Sequence, residues 1–325
     1  EQSVEEEVLS EYEEIMARAD LYFNQGNITA ALESYEEAVA VDPNQPIAYA
    51  RWAKLLNLRY RTDEALVRSE RALTLAPDDP EALTARAMSL IWNEQYPEAV
   101  EVAQQAVVID PEYGEAYAFL GRAYVHQQAY TQAYETVETA IDLAPDDVWV
   151  WLNYGFVNES LGYYEEALAA YQEGIAIVPL SYLYNSIGRL HLYTQDLGDV
   201  DAAIAAYQEA TYVDPRNPEA YAELANLYMF QEDPANAKIY ALQGIEQDPS
   251  FPRNHGLLGQ IYYQELNFEG AISSLEQAIS FGSENPTNYI YLGLAHAYLE
   301  QCDEAVPWLQ RALEAYPDSG PVHTG

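Results

Sequence analysis

The sequence predicts an all-α protein, a right-handed α-solenoid of nine helix-turn-helix repeats. Two periodic features predict this fold. Prolines recur 34 residues apart through most of the chain, and an alanine stands twelve residues before each of nine successive positions of this period. Such a period is typical of solenoids, because one hairpin cannot bury its apolar face alone and successive hairpins must stack. The period positions are Pro43, Pro77, Pro111, Pro145, Pro179, Pro215, Pro249, Ser283 and Pro317.

Small residues identify the two helices of each repeat. The alanines lie on the second helix, where another small residue follows seven positions later, and a third small residue recurs on the first helix. Small side chains at fixed positions let two helix axes approach to about 8–10 Å, so they predict closely packed helix pairs. The nine alanines are Ala31, Ala65, Ala99, Ala133, Ala167, Ala203, Ala237, Ala271 and Ala305.

The ends of the helices are also visible. Turn residues such as Gly26 and Gly162 separate the helices of a repeat, and the proline after the second helix stops it because it lacks a backbone donor. We therefore predict an acidic N-terminal extension over 1–11, nine repeats over 12–317, and a tail over 318–325 that enters a truncated tenth repeat. The predicted repeats are 12–45, 46–79, 80–113, 114–147, 148–180, 181–217, 218–251, 252–285 and 286–317.

The sixth repeat departs from the period. Its first helix begins one residue early, since Gly188 is nine residues past Pro179 rather than ten, and its hairpin turn gains three residues. We expect this enlarged turn, about Thr194 to Val200, to bulge outward or to bend the solenoid.

These slots resemble those of the tetratricopeptide repeat, a 34-residue helix-turn-helix unit. The resemblance covers residues 12–317. The aromatic slot of the family is filled in six repeats by Tyr49, Tyr117, Trp151, Tyr184, Tyr221 and Tyr289, and in the others by Ile15, Leu83 and His255. The resemblance implies that the first helices line a concave surface where extended peptides or partner elements dock.

The composition excludes several classes of function. The 325 residues include 14 Lys and Arg against 53 Asp and Glu, a formal charge of −39. This balance argues against partners such as nucleic acid or an anionic membrane, which need clustered cations. No run of 18 apolar residues predicts a membrane span. A single cysteine, Cys302, excludes an internal disulfide. The lysine-poor, acid-rich composition favours an exported, extracellular protein, or one from a salty environment.

No motif predicts catalysis. The sequence has no phosphate-binding glycine loop, no nucleophile elbow and no paired-histidine metal motif. Asp196, Asp199 and Asp201 cluster in the enlarged turn, but their spacing does not match an EF-hand. We therefore predict a protein that is not an enzyme and that has neither a cofactor nor a metal site.

A stripe of large side chains on the first helices is the predicted binding groove. Residues four apart lie one above another on a helix face, and along this stripe we expect cations and aromatics but no acid. Such residues dominate binding energy at interfaces. Alternatively, some of these aromatics pack as ordinary core between adjacent first helices. The groove residues are Lys54, Leu58, Met88, Trp92, Arg122, His126, Phe156, Arg189, Tyr193, Asn226, Phe230, Tyr263 and Tyr298.

The last repeat predicts a second kind of contact. Val306, Trp308, Leu313 and Tyr316 are expected to face water, which favours either a chain cut from a longer array or head-to-tail assembly into a filament. We expect a peptide-binding adaptor, with a self-assembling filament subunit as the alternative and a regulatory module of an enzyme as the third hypothesis. Asn27, in the sequon Asn27-Ile28-Thr29, is the candidate glycosylation site.

Overall fold

The computed structural model describes residues 9–193 and 198–315, which form 18 α-helices and no strand. This confirms the predicted all-α repeat fold. No helix within these residues is long and apolar enough to cross a bilayer. The helices are α1 Glu11–Asn24, α2 Ile28–Val41, α3 Pro46–Leu58, α4 Thr62–Leu75, α5 Pro80–Trp92, α6 Tyr96–Ile109, α7 Gly114–His126, α8 Tyr130–Leu143, α9 Val148–Leu161, α10 Tyr164–Ile177, α11 Ser181–Tyr193, α12 Val200–Val213, α13 Pro218–Phe230, α14 Pro234–Gln247, α15 Pro252–Gln264, α16 Phe268–Ser280, α17 Pro286–Tyr298 and α18 Cys302–Ala315.

Some expectations fall outside these residues. Most of the acidic N-terminal extension, the centre of the enlarged turn of the sixth repeat with its Asp196, residue Tyr316 and the tail over 318–325 lie outside the part of the chain that is described.

The slot alanines lie in the interior of the hairpins. Eight of the nine alanines are fully buried, and Ala305 is 3% exposed. In the fifth hairpin glycine occupies the small slot of the first helix, and a Cβ added at Gly155 would overlap the Tyr171 ring. The helices therefore pair through matched small and large residues, as ridges fit into grooves.

Local signals explain where the helices begin. Ser10 and Glu13 form a capping box at the start of α1, in which each side chain accepts the backbone N–H of the other residue. Proline occupies the first turn of α3, α5, α13, α15 and α17, where its missing donor costs nothing. Asp79 and Asp147 cap α5 and α9 with their side chains.

The turn inside the hairpins has one repeated backbone conformation. One residue of the turn is left-handed in eight of the hairpins. Glycine fills this position at Gly26 and Gly162, but other residues adopt φ between 58° and 60° elsewhere. These are Tyr60, Glu94, Gln128, Glu232, Leu266 and Glu300. The left-handed residue ends the first helix of each hairpin so that the chain can reverse.

The chain divides into two compact units, Glu1–Asp199 and Val200–Gly325. The boundary falls inside the sixth hairpin, so that α11 belongs to the first unit and α12 to the second. Within each unit every hairpin packs against the next, for example α6 against α7 and α14 against α15. The core therefore runs between hairpins as well as within them.

Candidate functional site

The first unit contains a cavity of about 450 Å³, here called the unit 1 cavity. Its wall comes mainly from the first helices of five successive hairpins, α1, α3, α5, α7 and α9. Five acidic and two basic side chains line it, with aromatic residues between them. The charged and aromatic lining residues are Asp20, Phe23, Tyr35, Arg51, Lys54, Glu81, Tyr113, Glu115, Asp146, Asp147 and Trp149.

Lys54 and Glu115 form a buried ion pair in the wall of this cavity. Lys54 Nζ donates to Glu115 Oε1 at 2.8 Å and to Oε2 at 3.1 Å, and each residue is 4% exposed. The same ammonium lies 3.9 Å from Glu81 Oε1 and 5.3 Å from the centroid of the Trp149 ring. This pair connects α3 to α7, which belong to different hairpins. Removal of either partner would leave the other charge buried and unpaired, which strongly destabilises a protein.

Arg51 organises a second group of charges at the edge of the cavity. Its Nη1 donates to Asp20 Oδ2 at 2.6 Å, and its Nε donates to Glu81 Oε1 at 2.8 Å. The Tyr35 hydroxyl donates to Asp20 Oδ1 at 2.6 Å. Glu81 therefore lies between the two cations Arg51 and Lys54, and these charge-assisted bonds connect α1, α3 and α5.

The carboxyl groups of the cavity have opposite pKa shifts. Burial raises the pKa of Glu115 to about 7, since loss of solvation outweighs the attraction of Lys54. Burial likewise raises the pKa of Asp147. Burial also opposes the charged form of Glu81, but there Lys54 and then Arg51 overcome it and the pKa is lowered. The cavity therefore holds more carboxylates than its own two cations stabilise.

The first hairpin closes against the fifth around this cavity. The ring of Phe23 stacks on Trp149 with centroids 5.7 Å apart and planes 8° from parallel. Nearby, the turn of the first hairpin approaches the end of α10 so closely that a Cβ added at Gly26 would lie 2.5 Å from the carbonyl oxygen of Pro179. The first and fifth hairpins therefore both contribute side chains to the unit 1 cavity, which is open to solvent. The concave groove that the family resemblance implies stays a prediction.

Arg122, predicted in the groove, is buried between aromatic rings. Its guanidinium carbon lies 4.3 Å from the Trp92 centroid and 3.8 Å from the Phe156 centroid, and Nη2 donates to the Tyr182 hydroxyl at 3.0 Å. Its Nε and Nη1 are buried and have no hydrogen-bond partner among the described residues. Burial, and then the charge of Arg122, lowers the pKa of the neighbouring His126 to about 4.

The other predicted groove residues are not gathered at one place. Leu58 and Met88 are buried in the core. Arg189 of α11 pairs with Glu159 at 2.8 Å, and the side chain of Tyr193 lies outside the described residues. In the second unit Asn226 lines a separate cavity of about 420 Å³.

Aromatic groove residues of the second unit differ in exposure. Tyr263 packs against the rings of Phe268 and Tyr298, with centroids 5.6 and 5.9 Å away. Phe230 is 80% exposed and Tyr298 is 63% exposed. These two side chains are therefore accessible on the first-helix face of their hairpins.

Two acids lie beside Lys54 of the predicted groove stripe, where only cations and aromatics were expected. Glu81 and Glu115 lie seven residues before Met88 and Arg122, which places them two turns away on the same helix face. Trp149 has the same relation to Phe156. Acids in the first turn of a helix are commonly interpreted as favourable to the helix dipole. The seven-residue spacing from the predicted residues was the signal that could have located this part of the cavity wall.

The predicted assembly residues lie on or near α18. Val306 is 50% exposed, whereas Trp308 and Leu313 are half-buried, and Tyr316 lies outside the described residues. The Trp308 ring stacks on Tyr289 with centroids 6.1 Å apart. Part of this surface is therefore used within the last hairpin.

Asn27, the candidate glycosylation site, is exposed and caps α2. Its Oδ1 accepts the backbone N–H of Ala30 at 3.1 Å. Glycosylation of Asn27 stays a prediction. Among the described residues no group of three His, Cys, Asp or Glu side chains is arranged to hold a metal ion.

Comparison with protein families identifies the repeat. A model described as TPR repeat matches residues 19–56 and 195–231. Three models described as tetratricopeptide repeat match residues 90–147, residues 257–320, and residues 150–179 with 218–251. No curated protein matches the sequence closely enough to count as a relative.

Solved structures share the fold at low identity. The Cut9 and Hcn1 hetero-tetramer of the APC/C matches with a TM-score of 0.59 and 17% identity over 86% of this chain. The chain spans 55% of the length of that matched chain. The human IFIT1 dimer with PPP-AAAA matches with a TM-score of 0.58 and 16% identity, over 93% of this chain and 82% of the other. At these identities the likeness shows the fold alone.

Proposed function

The chain belongs to the tetratricopeptide repeat family, and from this membership we propose that it is a non-catalytic scaffold that holds a segment of a partner protein in the unit 1 cavity. The observation that carries the proposal is the convergence of five successive first helices on one concave, polar and aromatic site. Ligand sites in proteins are typically concave, with a few placed polar groups among apolar walls.

The charge of the cavity argues against a ligand of the kind named with one structural relative. PPP-AAAA is named with human IFIT1. In the present chain five carboxyl groups and two cations line the cavity, and both cations are paired with carboxylates. A phosphate-rich ligand would meet like charge there, which supports a protein partner rather than a nucleic acid.

Selection from a random peptide library tests the proposal. Peptides that bind the whole chain are isolated, and their affinities are measured by calorimetry against wild type and against Phe23→Ala. Phe23 lines the cavity, so its loss should weaken binding by at least about tenfold. Leu21→Ala, on the same helix at a residue that is 53% exposed, is the matched control and should change affinity by less than about twofold.

Circular dichroism of both variants establishes that they remain folded. Equal affinities of the peptides for wild type and for the folded Phe23→Ala variant would show that the unit 1 cavity is not the binding site.

A second candidate function is self-association through α18. Val306 occupies the same slot of the repeat as Val100, each one residue after the slot alanine. Val100 is 8% exposed in α6, which packs against α5 and α7, but Val306 is 50% exposed. A second copy that covered Val306 would make a head-to-tail contact, and such contacts propagate as filaments when the rotation does not close.

A further inference from the structure

The charges that line the unit 1 cavity do not balance. Arg51 and Lys54 are both engaged with carboxylates of the wall. Asp146 and Asp147 line the same cavity, and neither forms an ion pair with a cation of the described chain. Asp147 accepts the backbone N–H of Trp149 at 2.7 Å as the cap of α9. The charge of Lys54 acts on Asp147 without an ion-pair contact. Two carboxylates therefore line the cavity with no direct ion-pair partner.

The same wall already accommodates an ammonium group. Lys54 Nζ is held by the Glu115 carboxylate while it lies 5.3 Å from the Trp149 centroid. A carboxylate beside an aromatic face attracts a cation through both its charge and the ring quadrupole. Trp149 is stacked on Phe23, so this aromatic wall is fixed in place.

The protonation of the wall agrees with a missing positive charge. Burial and then nearby carboxylates raise the pKa of Glu115, although Lys54 opposes the shift; Asp147 and Glu81 are the carboxylates that add to it. A cation placed in the cavity would favour the charged form of these groups. Its binding would therefore be accompanied by release of protons from the wall.

We infer that the unit 1 cavity binds a basic segment of the partner, with a lysine or arginine side chain placed between the aromatic wall and the Asp146–Asp147 pair. This inference rests on the proposed function, since it names the chemistry of the segment that the scaffold holds. The cavity volume of about 450 Å³ suits one or two long side chains rather than a folded domain. The formal charge of −39 would also accelerate the encounter with a basic segment.

The test uses acetylated tetralysine amide as the probe and calorimetry with the whole chain at physiological salt. Asp146→Asn with Asp147→Asn removes both unpaired charges and leaves the amide oxygen to cap α9. We expect this double variant to bind at least about tenfold more weakly than wild type.

The chain offers a closely matched control. Pro77-Asp78-Asp79 repeats Pro145-Asp146-Asp147 two periods earlier, and Asp79 caps α5 by accepting the N–H of Ala82 at 2.8 Å. Neither Asp78 nor Asp79 lines the unit 1 cavity. Asp78→Asn with Asp79→Asn changes the net charge equally, and should leave the affinity within about twofold of wild type.

Four results would overturn the inference. Equal weakening by both double variants would mean that tetralysine responds only to net charge. If the same peptide with its lysine side chains also acetylated bound as tightly as the tetralysine probe, recognition of the ammonium group would be excluded. Spermidine binding as tightly as tetralysine, with the same dependence on Asp146 and Asp147, would make the site one for a polyamine. If library peptides depend on Phe23 but contain no basic residue, the proposed function stands and only this inference fails.

Discussion

At the scale of single residues, the pKa of His126 depends on burial and on the charge of Arg122. Its ring stacks on Tyr96 at 4.2 Å and on Phe156 at 5.6 Å, and burial followed by Arg122 lowers its pKa to about 4. The folded pKa lies below the unfolded value of about 6.5. His126 therefore contributes stability that is present above pH 6.5 and is lost as the pH falls towards 4.

Nuclear magnetic resonance of the His126 ring checks this prediction directly. We expect a titration midpoint near pH 4 in wild type and a higher midpoint in Arg122→Met, which keeps the length of the side chain without its charge. A wild-type midpoint near 6.5 would show that neither burial nor Arg122 acts on the ring as the geometry requires.

Some residues of the site could be predicted from the sequence, and others could not. Lys54 follows from helical spacing, and it does line the unit 1 cavity. Its partner Glu115 was not among the predicted residues, although it lies two helical turns from the predicted Arg122. The pair spans 61 positions, and nothing local in the sequence indicates a contact over that distance.

The hairpin turn allows a prediction at the scale of an element. Gln128 has φ of 60°, whereas the adjacent Gln127 has φ of −91°. Glycine accepts the left-handed conformation without the steric cost that other residues incur. Gln128→Gly should therefore raise the free energy of unfolding by about 1 kcal/mol.

Gln127→Gly is the control for this prediction, because both residues are exposed glutamines of the same turn. There glycine relieves no strain and only adds freedom to the unfolded chain, so we expect a loss of about 0.5–1 kcal/mol. Urea denaturation of both variants measures the two changes. A loss of stability in both would contradict the proposed strain.

The helices and their pairing were predictable because each repeat contains the residues that determine them. The slot alanines, such as Ala31 and Ala65, occur at a fixed distance from the prolines, and their burial is complete. The left-handed turn residues were less visible, since Tyr60 and Leu266 carry no signal for that conformation. There the reversal of the chain between the two helices of a hairpin requires a backbone angle that the residue itself does not favour.

The closure of the first unit was not predictable from the repeat. A period fixes how each hairpin meets its neighbour, but small rotations between hairpins add up along the unit. Only their sum determines that Phe23 meets Trp149 and that Gly26 meets Pro179. The sequence alone therefore did not predict a cavity to which the first and fifth hairpins both contribute.

Association of whole molecules is governed by two opposing terms. The chain carries a formal charge of −39, which repels a second copy, and Val306 exposes apolar surface that a second copy could cover. Salt screens the repulsion over about 10 Å at 0.1 M and leaves apolar burial intact. We therefore expect the average mass, measured by light scattering after gel filtration, to rise with protein concentration at about 500 mM NaCl. At about 20 mM NaCl the mass should stay that of the monomer at every protein concentration.

Two valine variants separate a specific contact from general precipitation. Val306→Glu places a charge in the proposed contact and should keep the protein monomeric at high salt. Val108→Glu adds the same charge at a residue of α6 that is 78% exposed, and it should associate as wild type does. Negative-stain microscopy of the high-salt sample then distinguishes filaments, which a head-to-tail contact produces, from closed dimers. Monomers at every salt and protein concentration would exclude self-assembly through α18 and leave the cavity scaffold as the remaining function.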